Sequence, residues 1–409
     1  MRHQQIEVPQ DATLTGSGAK AAVIAQTVLL FTLTTLPTPL YRDYAREFHF
    51  SVLTLTLIYA TYVAGTLTSL LFFGRLSDQI GRASVSLPAI GGAAIAALLF
   101  VFAHSTAMLF VARLVTGIAA GLSSGTAVAW LRELHNADDA KTASLRTVAV
   151  NILGLGLGPL LAGLLSAFAP LPLTLCYAVY LALLVPLAVA VAMTRETVKE
   201  RRSLQKVSLA PRIGVPAKLR RRFASPGAIT FAIFSLVGFY SAIAPSLISE
   251  KLHLTSHAAA GAIVFELFFV GAIGVYAAAR VASRNVMLWG AGMMLPALAC
   301  LVAAEALASL PLLLTGTAFG GVSLGLGYRG TLEVGNQMAP EDKHAELISA
   351  LFVCGNLGLA VPVIGIGVLS AVSSPERADY VFAAVIALIS MGGLTADMFA
   401  SDGRSRQRT

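Results

Sequence analysis

Charge is scarce in this chain. Only 12% of its 409 residues are Asp, Glu, Lys or Arg, against 56% hydrophobic. Soluble domains carry about 25% charge, so most of these side chains never meet water. That excludes a soluble protein of two or three domains. Cysteine is scarcer still. Cys176, Cys300 and Cys354 each stand inside an apolar run, with neither metal-ligand spacing nor a disulfide framework, and read as small buried hydrophobes. The chain has no Gly-x-x-x-x-Gly-Lys-Ser/Thr loop, no zinc motif and no nucleophile elbow. ATP coupling and hydrolytic chemistry have no seat here, so no enzyme, metal or bound cofactor is expected.

What is present is a series of apolar runs, each about 20 residues long, enough for a helix to cross a bilayer. Twelve are expected, at roughly 20–40, 52–73, 84–103, 107–131, 144–168, 172–193, 226–248, 257–279, 286–304, 310–330, 346–371 and 377–399. Prolines 159, 186, 245, 296 and 362 fall inside them, as membrane helices allow. Unbroken runs exclude a barrel, whose strands alternate over about ten residues. A polar first segment leads into a first span expected to be retained, not cleaved as a signal peptide.

Lysine and arginine orient the bundle. With the amino terminus inside, 24 of the 29 lie on the inner side. Arg42, Arg46, Lys251 and Arg377 lie outside, and Arg113 falls within a span. This bias predicts both termini in the cytoplasm. The net charge of +8 is thus a topology signal with a contact to anionic lipid, and not a nucleic-acid footprint. The longest connection, 194–225, carries ten Lys or Arg residues. It predicts a six-span bundle over 1–193, a basic linker, and a second six-span bundle over 226–409. Asn151-Ile152-Leu153-Gly154 leading to Pro159 is echoed by Asn356-Leu357-Gly358 leading to Pro362, a weak internal repeat.

Two polar signals stand out from this background. The loop Gly74-Arg75-Leu76-Ser77-Asp78-Gln79-Ile80-Gly81-Arg82 joins spans two and three; its glycines permit tight turns and its acid sits near a helix end. It resembles the signature G-x-L-(A/S)-D-x-x-G-R of major facilitator superfamily transporters. The fifth span reads Gly154-Leu155-Gly156-Leu157-Gly158-Pro159-Leu160-Leu161-Ala162-Gly163, a smooth glycine face with a proline kink. It resembles the G-x-x-x-G-P-x-x-(A/G)-G motif of the superfamily's antiporters. The resemblance implies an all-α membrane fold of two pseudo-symmetric six-helix bundles around a central cavity. It also implies that Gly74, Asp78, Gly81 and Arg82 form a conformational latch, Asp78 docking at the start of the eleventh span when the outside is closed. Ala83 stands where the family usually has a second basic residue.

Arg113 lies about a third of the way along span four. A guanidinium keeps its proton, so it must face a wet cavity or a partner. Its setting resembles the R-x-x-x-G pattern that the family ties to proton coupling. Snorkelling to the outer surface is the alternative. Glu266, midway along span eight, suits a carboxylate that alternates between proton and substrate, with a structural hydrogen bond as its rival. The first span carries no acid, unlike many drug:proton antiporters. Thr35, Tyr62, Asn151 and Tyr240 are candidate cavity polar groups. Arg42, Asp43, Glu305 and Asp397 read as interfacial charges, and Arg329 with Glu333 as an intrahelical pair. The expectation is a monomeric inner-membrane exporter of a small organic compound or drug, powered by the proton gradient. An uptake symporter, a sugar or metabolite exporter, and a non-transporting receptor of the same fold are the alternatives.

Overall fold

The computed structural model describes residues 13–134, 140–198, 213–340 and 343–405. Twelve helices among them are long and apolar enough to cross a membrane, at the positions the apolar runs mark. The first span is α1 (Gly16–Thr35), continued past a 3-10 turn over Thr38–Leu40 by the short α2 (Tyr41–Glu47). Then come α3 (Val52–Phe73), a short α4 (Leu76–Ile80), α5 (Arg82–Val101), α6 (Thr106–Glu133), α7 (Ala140–Phe168) and α8 (Leu175–Ala192). The second set is α9 (Arg220–Ala242), the short α10 (Ala244–Lys251), α11 (His257–Ala277), α12 (Ser283–Ala306), α13 (Leu310–Met338), α14 (His344–Val372) and α15 (Pro375–Ser405).

Two spans are broken where proline dictates it. Pro37 and Pro39 interrupt the first, so α1 and α2 are separate rods. Pro245 has no N–H to give the fourth carbonyl before it, and the seventh span divides at Ile243. Helix α13 outruns its apolar core, running about two turns past 330 to Met338 on the side assigned to the cytoplasm. Much of the basic connection, 199–212, falls outside the described residues. Its beginning is fixed, because Leu14 and Thr194 form an isolated bridge and the Trp130 indole donates to the Arg195 carbonyl at 3.2 Å.

Helices of the first set meet the second along two seams, α7 against α11 and α3 against α14. In lipid there is no hydrophobic drive between helices, so close backbone approach carries the association. The α7–α11 crossing shows it. A Cβ on Gly163 would stand 2.5 Å from the His257 carbonyl oxygen, and one on Gly261 would stand 2.3 Å from that of Pro159. Only glycine permits this crossing without displacing a backbone.

Candidate functional site

Arg113 is completely buried in α6. Its Nη1 donates to the Thr34 carbonyl at 2.6 Å, at the point where α1 ends before Pro37. Its guanidinium carbon lies 5.6, 5.4 and 5.1 Å from the ring centres of Tyr41, Tyr59 and Tyr62. Nε and Nη2 find no hydrogen-bond acceptor. The charge is therefore held by one carbonyl and three aromatic faces, a cation–π cage in place of a carboxylate. It does not snorkel to the surface. Tyr62, a candidate cavity residue, is one wall of this cage.

The glycine–proline segment of α7 receives α1. Pro159 cannot hydrogen-bond to Leu155, and the hydroxyl of Thr35 takes its place, donating to the Leu155 carbonyl at 2.6 Å. Thr32 donates to the Gly154 carbonyl at 3.1 Å. Gly158 makes room, since a Cβ there would meet the Thr32 carbonyl oxygen and the Thr35 hydroxyl at 2.4 Å. Thr35 thus acts as a structural donor to α7. The motif, Arg113 and the broken end of α1 form one polar unit.

In the α3–α5 loop, Gly81 has φ +111°, a conformation that L side chains rarely adopt. Arg82, 5% exposed, forks onto Glu133 of α6, Nη2 to Oε1 at 2.6 Å and Nε to Oε2 at 3.2 Å. It also donates to Ser77 at 2.8 Å and pairs with Asp78. Asp78, expected to dock on the eleventh span, has its carboxylate on Arg82 here and is 55% exposed. Glu196, just after α8, accepts from the backbone N–H groups of Arg82 and Ala83 at 2.9 and 3.1 Å. An anion at a helix N-terminus satisfies two otherwise unpaired donors. Gly74, at the end of α3, would carry any Cβ 2.6 Å from the Leu70 carbonyl oxygen.

Of the remaining predicted residues, Tyr240 lies within electrostatic reach of Glu266. Tyr240 is buried in α9, its hydroxyl 2.9 Å from that of Thr317 in α13. Asn151 is 8% exposed and lies beside Tyr328 of α13. Glu266 stands on the flank of α11 that carries the exposed Ala262, Phe269 and Ile273, with its Oε2 buried and unpartnered. Arg113 and Glu266 therefore belong to separate surroundings, one caged and one on a surface flank. A small cavity of about 20 Å³ in the second set is lined by Phe234, Tyr328, Phe352 and Asn356, among others.

The two sets of helices are closed against each other on the face assigned to the outside. Asp43 of α2 accepts from the His257 ring of α11 at 2.5 Å. A Cβ on Gly367 of α14 would stand 2.2 Å from the Thr56 hydroxyl of α3. A pocket of about 120 Å³ beside the Asp43–His257 pair is bordered by Arg42, Arg46, Pro245 and Ser249.

The family model of the Major Facilitator Superfamily matches residues 23–362. The chain belongs to that superfamily. A search of curated proteins by sequence finds no match. The crystal structure of the human organic anion transporter MFSD10 (TETRAN) superposes with a TM-score of 0.65 over 94% of this chain and 99% of that one, at 16% identity. At that identity the likeness concerns the fold. Membership makes the chain a multi-pass membrane transporter.

Several site features escaped the sequence reading. Asp43 and His257 stand 214 positions apart, and no spacing rule joins them. Glu133 and Glu196, the acids that meet the Arg82 side chain and backbone, belong to neither motif. Glu305, read as interfacial, is 6% exposed, as is Asp379. Asp397, also read as interfacial, is 9% exposed and pairs with Arg284 at 2.5 Å.

Proposed function

We propose that this superfamily member exports a small organic compound in exchange for protons by alternating access. The observation that carries the reading is the cross-seam closure of the outer face by Asp43–His257 and the Gly163–Gly261 crossing. Those contacts bind one face and must break for the other state to form. Direction rests on the α7 motif, whose carbonyls are tied to α1, so that a movement of α1 is a movement of α7. Arg113 holds the end of α1 against α6, and Glu266, an unpaired carboxylate within a span, carries the proton. The protein works as a monomer in the inner membrane with both termini cytoplasmic, and the proton gradient is its energy source.

A second reading has one observation in its favour. The Arg113 charge is compensated by no carboxylate, and an anionic substrate would supply the missing countercharge. The structurally similar MFSD10 is described as an organic anion transporter.

Substrate-induced proton movement in proteoliposomes tests both readings. A panel of cationic, neutral and anionic compounds is screened with wild type and Glu266→Gln. Proton release driven by one class and lost in the variant supports exchange and names the class. Proton flux that survives the substitution removes Glu266 from the mechanism. Substrate flux without proton movement contradicts the coupling.

A further inference from the structure

Two carboxylates with no part in that mechanism lie under the outer face of the second set of helices. Glu305 is at the end of α12 and Asp379 near the start of α15; both are 6% exposed. The charges that act on Asp379 are Glu305, Glu250 and Glu376, with Lys251 as the cation among them. Its Oδ1 is buried and has no hydrogen-bond partner. Lys251 is engaged elsewhere: it pairs with Glu376, which holds the ammonium above its usual range. A basin of about 700 Å³ is bordered by Glu305 of this pair, together with Lys251, Glu376, Arg377 and Tyr380, the residue after Asp379.

Adjacent buried carboxylates repel, and one small cation between them relieves the repulsion. A metal ion needs a fuller shell. Among the described residues, no group of three or more His, Cys, Asp or Glu side chains is placed to hold one. A proton needs no shell, only one carboxyl to carry it and a second to share it.

We infer that Glu305 and Asp379 form a proton-binding site that takes up one proton between them, with Glu305 bordering the outer basin. The site is distinct from Glu266. Its consequence for transport rests on the proton-coupled reading above; its existence does not. Lys251 ends α10, and Pro245 and Ser249 of the same short helix border the pocket beside Asp43 and His257. Loss of the proton leaves a further negative charge for Lys251 to face. A shift of that lysine moves the helix that borders the outer closure.

The test needs no substrate. Dicyclohexylcarbodiimide modifies protonated carboxyls in apolar surroundings, and mass spectrometry of wild-type protein in detergent maps the label. The expected result is label on Asp379 or Glu305, falling by about tenfold per pH unit above the transition. A protonated-carboxyl infrared band should vanish in Asp379→Asn and Glu305→Gln and persist in Glu266→Gln. Labelling of Glu266 with neither Glu305 nor Asp379 modified would overturn the inference. Protection of the pair by sodium or calcium at constant pH would overturn it too, by making the site one for a metal cation. Should the variants fail to fold, the wild-type label map decides alone. Absence of substrate flux with the label intact would fault the transport reading and leave the proton site standing.

Discussion

Arg113 shows how a charge survives in a membrane span. An isolated guanidinium in hydrocarbon costs several kcal/mol. Here one short hydrogen bond to Thr34 and the faces of Tyr41, Tyr59 and Tyr62 offset that cost. The planar fork is what stacks, so lysine is a poor replacement. Arg113→Lys should lower stability by ~1–3 kcal/mol, read as a lower midpoint of thermal unfolding in detergent, and reduce flux. A wild-type midpoint would mean that the cage contributes nothing. Thr35 makes a finer case. Its hydroxyl satisfies the carbonyl that Pro159 leaves free, so Thr35→Val should destabilise by ~1–2 kcal/mol while Thr35→Ser stays close to wild type. Equal behaviour of the two variants would remove the hydrogen bond from the account. In sequence, Arg113 announced itself because a charge inside an apolar run is improbable without a purpose. Thr35 was named only as a cavity polar group, because a hydroxyl in a span has many uses and only the proline partner 124 positions away in the chain selects one.

Among helices, α7 does the most. One side of it takes α1 through Gly154 and Gly158, and another crosses α11 at Gly163. Gly163→Ala places a methyl group 2.5 Å from the His257 carbonyl oxygen, which forces α7 and α11 apart by their outer ends. The expected outcome is a bundle that is still folded but opens outward more readily, with a protein of similar circular dichroism and faster alkylation of Ser256→Cys on the outer face. Unchanged alkylation would show that the crossing gives way elsewhere. A related expectation concerns Arg82, whose fork onto Glu133 joins α5 to α6. Arg82→Lys cannot make the bidentate contact and should slow transport more than it lowers stability, as measured by flux beside thermal unfolding. The helices themselves were legible in advance because spanning runs of apolar residues have few alternatives in lipid. Their ends were not. The breaks at Pro37 and Pro245 and the extra turns of α13 depend on backbone pairing and on charged sequence that hydropathy does not weigh.

For the molecule as a whole, the sequence motifs pointed to the family and the packing shows which face is closed. The loop signature and the α7 motif both lie in the first six spans, so the reading was richest there. The contact that closes the outer face, Asp43 with His257, joins two halves that no local pattern relates. If the chain works by alternating access, that closure must open while the rest of the fold persists. Double electron–electron resonance between spin labels at Glu47→Cys and Thr255→Cys, with the native cysteines replaced, reads the outer seam directly. The account predicts two distance populations whose ratio shifts between acidic and alkaline buffer, with the longer one favoured by Asp43→Asn. A single short distance under every condition, in wild type and variant alike, would contradict it.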